Sequence, residues 1–105
     1  MDMDLEEQVM GIIINAGQSK SLAFEALFAA KAGDFDKAES LMKESQEFAN
    51  QAHLVQTKLI EADEGEGKTK MTLIMVHAQD HLMTSMLAKE MLAELIDVHK
   101  RLAAK

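Results

Sequence analysis

Apolar residues recur at helical spacing along almost the whole chain, and the pattern breaks twice. The first stretch carries Val9, Ile12, Ile13, Ala16, Leu22, Ala23, Ala26, Leu27 and Ala30, the three-and-four spacing of a buried helical face. It ends at Lys31-Ala32-Gly33-Asp34-Phe35-Asp36. A glycine just past a periodic segment caps a helix C-terminus, and Asp34 or Asp36 can cap the next helix. The second stretch sets Leu41, Phe48, Ala52, Val55 and Leu59 against a polar face of Lys43, Glu44, Glu47 and Lys58. It runs into Asp63-Glu64-Gly65-Glu66-Gly67-Lys68, where two glycines among charges make a flexible turn. The pattern predicts three helices, near residues 4–32, 35–62 and 69–103, each about 40 Å long at roughly 1.5 Å per residue. Short connections imply antiparallel neighbours, hence an up-down-up bundle. Gly11 and Gly17 fall inside the first helix. Each costs about 1 kcal/mol relative to alanine, and close helix–helix approach is the expected reason.

The third stretch is apolar on too many sides for a bundle of three. His77, His81, Thr84, Ala88, Met91, Leu95, Val98 and Leu102 follow an unbroken 4-3-4-3 spacing, which is a heptad seam. Leu73, Val76, Asp80, Met83 and Leu87 form a second seam beside it, and Met75, Leu82, Met86, Leu92 and Ile96 add apolar surface elsewhere. Two partner helices from the same chain do not cover all of this, so self-association through the third helix is expected. The spacing allows a dimer, trimer or tetramer.

Composition supports an all-α chain. The 105 residues suit one domain, spanning 1–105, with a thin core. There is no proline, and the only aromatic residues are four phenylalanines, whereas a β-fold of this length calls for β-branched and aromatic residues. The net charge of −7 argues against nucleic acid, which needs clustered Lys and Arg, and against anionic lipid. With no cysteine in the sequence, disulfides, zinc–thiolate sites and thiol chemistry are excluded. The acidic start, Met1 to Glu7, is unlike a signal peptide. Apolar runs such as Gly11–Ile14 and Leu73–Val76 are too short to span a bilayer. A soluble protein is expected, and the cytoplasm is compatible with it.

The informative chemistry lies in Val76-His77-Ala78-Gln79-Asp80-His81. Residues at i, i+3 and i+4 share a helical face, so His77, Asp80 and His81 can converge. Three ionisable groups on the most apolar helix are costly unless paired, liganded or working. One reading makes them polar residues that set oligomer register. A second makes them ligands of a divalent metal, although the His-Glu-x-x-His arrangement of a zinc hydrolase is absent. A third, acid–base catalysis, needs a pocket that a slim bundle lacks except between subunits. The fourth makes His77 a covalent phosphoryl acceptor with a neighbour holding its ring. The residues alone leave metal binding and phosphoryl transfer nearly level. His53, mid-helix, and His99, near the end of the third helix, receive no role.

The segment from Val76 to Ser85 closely resembles the phosphorylation-site segment of the lactose/cellobiose-type enzyme IIA components of the phosphoenolpyruvate-dependent sugar phosphotransferase system. Met10-Gly11-Ile12-Ile13-Ile14-Asn15-Ala16-Gly17-Gln18, Ala52 to Glu61 and the Gly65-Glu66-Gly67 turn resemble other parts of the same family. The likeness covers nearly the whole chain and leans to the cellobiose/diacetylchitobiose branch. It implies a three-helix unit that trimerises into a nine-helix bundle around the third helices. It implies that His77 is the phosphohistidine, carried on Nε2, with His81 a supporting neighbour. It implies that Asp80 meets its two symmetry mates at a divalent cation, usually magnesium. Three converging carboxylates repel unless a cation neutralises them or some take up protons, and oxygen ligands suit a hard ion. The implied partners are the phosphocarrier HPr as donor and enzyme IIB, and through it the membrane component IIC, as acceptor. The implied cargo is cellobiose, diacetylchitobiose or a related disaccharide. Thr84 and Ser85 are candidates for holding phosphoryl oxygens, and Gln79 shares the segment without an assigned role. The alternative is a divalent-metal-binding helical bundle, or an adaptor, without phosphotransfer.

Overall fold

The computed structural model describes residues 3–105; Met1 and Asp2 of the acidic start lie outside the described residues. Three helices account for nearly all of it: α1 (Met3–Lys31), α2 (Phe35–Asp63) and α3 (Leu73–Ala103). They run up, down and up in a rod of 55 × 21 × 19 Å. Among the described residues there is no strand.

The α1–α2 turn follows from its local signals. Gly33 takes a left-handed φ of +84°. Its N–H donates to the Ala30 carbonyl at 3.0 Å, and the Asp34 N–H donates to the Ala29 carbonyl at 2.9 Å, which closes the C-terminus of α1. Asp34, rather than Asp36, caps α2: its Oδ1 accepts from the Lys37 N–H at 3.1 Å.

The second connection is longer than the sequence pattern predicts, and α3 begins four residues later than expected. The Asp63 carboxylate ends α2 and then holds the loop, accepting from the Thr69 N–H at 2.8 Å and the Gly67 N–H at 3.2 Å. Residues 69–72, expected to be helical, therefore belong to the loop. Thr72 caps α3 by accepting from the Met75 N–H at 3.3 Å.

The core has two parts. Val9, Ile12, Ala16, Ala52, Leu59, Met75, Ala78 and Leu82 pack at one end. Ala26, Ala29, Ala30 and Ala38, flanked by Phe35, Leu41, Met42 and Ile96, pack at the other. Alanines facing alanines let α1 and α2 lie close. Helix α1 packs extensively on both neighbours, while α2 and α3 touch little. So α3 is covered on one side only. Leu73, Val76, Met83, Leu87, Met91, Leu95, Val98 and Leu102 are all exposed, and the apolar excess seen in the sequence is surface in the single chain.

Candidate functional site

His77, Asp80 and His81 stand in the first turns of α3. At about 100° per residue, Asp80 lies roughly 60° to one side of His77 and His81 roughly 40° to the other. The three residues thus span about 100° of the helix surface, with His77 between the carboxylate on one side and His81 on the other. The histidine rings stack, with centroids 5.9 Å apart and planes 21° from parallel. The rings are near-parallel neighbours, and with Asp80 they form no cluster of three metal-ligating side chains among the described residues. Asp80 makes no side-chain hydrogen bond or ion pair to either histidine among the described residues; the shared face read from spacing does not become a contact.

The two histidines differ in surroundings. His77 is exposed and borders a shallow apolar depression with Leu73 and Ile74. Among the described residues its ring nitrogens have no hydrogen-bond partner. His81 is half-buried against α1. A Cβ placed on Gly17 would lie 3.3 Å from its Nε2. The missing side chain therefore makes room for an imidazole, where the sequence suggested close helix–helix approach. Gly11 has nothing within 4 Å of the equivalent position, so no close approach within the chain accounts for it.

Asp80 is exposed near the N-terminal end of the apolar stripe, between Val76, at 50% exposure, and Met83, at 57%. Its side chain has no partner among the described residues, and no cluster of three metal-ligating side chains is formed there. One chain supplies one free carboxylate, which fits a cation only if other copies supply theirs.

The neighbouring polar residues are already engaged. The Thr84 hydroxyl donates back to the Asp80 or His81 carbonyl, at 3.0 and 3.2 Å. Ser85 is 2% exposed and faces the core. Two turns from His77 and buried, it is not placed to hold phosphoryl oxygens. Gln79 ties α3 to α2, its Oε1 accepting from Gln56 Nε2 at 2.6 Å, while its own Nε2 lies 3.7 Å from Met75 Sδ. That tie fixes the helix that carries His77, and sequence reading missed it because Gln56 and Gln79 are distant along the chain. His53 and His99 lie away from this cluster, His53 exposed mid-α2 and His99 half-buried late in α3.

Comparison with known proteins covers almost all of the chain. The family described as the lactose/cellobiose specific IIA subunit of the phosphotransferase system matches residues 7–100. The N,N'-diacetylchitobiose-specific EIIA component of Escherichia coli (strain K12) is 61% identical over 96% of this chain and 87% of its own length. The crystal structure of the cellobiose-specific enzyme IIA from Bacillus anthracis superposes with a TM-score of 0.94 at 40% identity, covering 100% of this chain and 96% of that one. The solution structure of the Escherichia coli IIA(chitobiose)–HPr complex gives 0.83 at 61% identity, covering 94% and 96%. With the three-helix fold and this match, the chain belongs to the lactose/cellobiose-specific IIA family, the phosphotransferase components that carry phosphoryl groups in sugar uptake.

Proposed function

We propose that His77 is the phosphoryl acceptor of this IIA component, taking its phosphoryl group from phospho-HPr and delivering it to a cysteine of a cognate enzyme IIB. The observation that carries the reading is the state of His77: an exposed imidazole with free ring nitrogens, beside an apolar depression, two residues before the Gln79 tie to α2. In the first step the Nε2 lone pair attacks phosphorus as the P–N bond to the HPr histidine breaks. In the second, a thiolate of enzyme IIB attacks and His77 Nε2 leaves with the bonding pair. Both are in-line displacements in which position and electrostatics do most of the work. The apolar rim of Leu73 and Ile74 suits partners that dock and leave. HPr is supported as donor by the solved complex of the similar IIA(chitobiose). The cargo is N,N'-diacetylchitobiose, cellobiose or a related disaccharide, delivered through enzymes IIB and IIC, and the working compartment is the cytoplasm.

The 105 residues act as one domain, and three copies join through α3 into a nine-helix bundle. Burying the α3 stripe would bury Asp80, and a buried unpaired carboxylate is costly. The carboxylates of three copies would hold a divalent cation, with Mg²⁺ the best match to oxygen donors. The cation would supply charge neutralisation there; His77, about 60° round the helix from Asp80, remains the phosphoryl carrier. His81 supports His77 by stacking on it. A site built on His77 and His81 as metal ligands is disfavoured by the packing of His81 against Gly17.

Incubation with phosphoenolpyruvate, enzyme I and HPr should place one acid-labile phosphate on each chain. His77→Ala should abolish it. A label that persists in His77→Ala would overturn the assignment.

A further inference from the structure

We propose that Gly17 is a positioning residue for phosphoryl transfer: the side chain it lacks is the seat of the His81 ring, and through that ring it sets the ring of His77. The inference rests on His77 being the phosphoryl acceptor. Gly17 lies in the middle of α1, where glycine costs about 1 kcal/mol relative to alanine. The structure shows what occupies the space so released. An added Cβ would meet His81 Nε2 at 3.3 Å, closer than nine in ten real Cβ contacts, so the ring would have to give by a few tenths of an ångström. A backbone-to-backbone packing role predicts a neighbouring main-chain atom at that position, and the nearest atom is instead the tip of an imidazole.

The path from Gly17 to the reacting atom is short. His81 meets α1 at Gly17, and its ring lies near-parallel to the His77 ring, 5.9 Å away centroid to centroid. A Cβ at Gly17 obliges the His81 ring to shift, and the His77 ring is its near-parallel neighbour. No hydrogen bond among the described residues fixes the ring nitrogens of His77, so the neighbouring His81 ring is the contact through which a shift would reach it. In-line transfer is sensitive to such shifts, since a misplacement of about 1 Å can cost on the order of 100-fold in rate. A few tenths of an ångström should therefore slow transfer by roughly 3–10-fold. Alanine also favours helix at this position, so stability and function should separate.

The test measures single-turnover transfer from saturating phospho-HPr to wild type, Gly17→Ala, His81→Ala and the double variant, with melting temperatures and histidine ring proton shifts for each. Gly17→Ala should transfer roughly 3–10-fold more slowly. Its affinity for HPr should be unchanged, its melting temperature equal to or above wild type, and the ring shifts of His77 and His81 displaced. In the His81→Ala background the same substitution should cost nothing further, because the ring it pushes is gone. An equal loss in both backgrounds, or a wild-type rate in Gly17→Ala, would overturn the proposal. Unchanged ring shifts would overturn the seat itself. A wild type that accepts no phosphate would instead overturn the phosphoryl reading, while the ring shifts still report on the seat.

Discussion

At the scale of single residues, the interior separates a polar group that holds the bundle from one that does not. Ser45 Oγ donates to the Ser19 carbonyl at 2.6 Å and lies 3.0 Å from Ser19 Oγ, joining α1 to α2. Ser85, just as buried, leaves its hydroxyl without a hydrogen bond among the described residues. Removing one member of a buried pair costs about 1–3 kcal/mol, whereas removing an orphan relieves its desolvation. Ser45→Ala should therefore destabilise by roughly 1–3 kcal/mol and Ser85→Ala should be neutral or stabilising, read as urea midpoints at constant slope. Equal losses would show that Ser85 has a partner in solution. The same contrast marks what sequence conveys at this scale. His77, Asp80 and His81 are visible because unusual residues stand at helical spacing on an apolar helix. The serines and the Gly17 seat depend on which helices face each other, and serine or glycine inside a helix carries no label for its partner.

At the scale of the elements, a local interaction was legible where a glycine marked it, and the Thr72 cap of α3, with no glycine beside it, was not. Gly33 and Asp34 lie within a few residues of the groups they satisfy, so the α1–α2 turn was readable. The start of α3 was not, because it depends on a carboxylate six residues before the amide it holds: Asp63 takes the Thr69 N–H into the loop. That bond, with those from Gly67 and Lys68, draws the Asp63 carboxyl below its ordinary value of 3.8, against a smaller opposing effect of burial. The sign follows from linkage. A carboxyl depressed in the folded state contributes its stabilisation above the ordinary value and loses it as pH falls through the lower folded value. The Thr69 amide resonance should accordingly titrate with a midpoint below 3.8 and stop titrating in Asp63→Asn. A midpoint at or above the ordinary value would mean that the loop is not held this way. The variant should loosen residues 64–72 first, seen as faster amide exchange there, while the α1–α2 turn keeps its protection.

For the whole molecule, the decisive fact is that α3 covers α1 on one side and leaves a full-length apolar stripe on the other. Leu73, at 86% exposure, and Leu102, at 60%, mark its two ends, so the stripe runs along nearly the entire rod. Periodicity revealed this excess but did not count the copies that cover it; the proposed three come from family resemblance. A chain of 11.6 kDa should therefore sediment at three times that mass. A charge at mid-stripe tests the contact without touching the internal core. Leu87 is 59% exposed and belongs to neither internal cluster, so Leu87→Lys should leave helicity intact and shift the species toward monomer. Asp80 tests the second half of the argument. If the stripe closes around a threefold axis, three carboxylates become close neighbours and require a cation. Dialysed wild type should retain one divalent ion per three chains, and Asp80→Asn should retain none yet remain assembled, because it removes the repulsion together with the ligand. A monomeric wild type would remove the basis for a shared site. A trimer whose metal content is untouched by Asp80→Asn would move the ion elsewhere, and His77 would then have to be examined as its ligand.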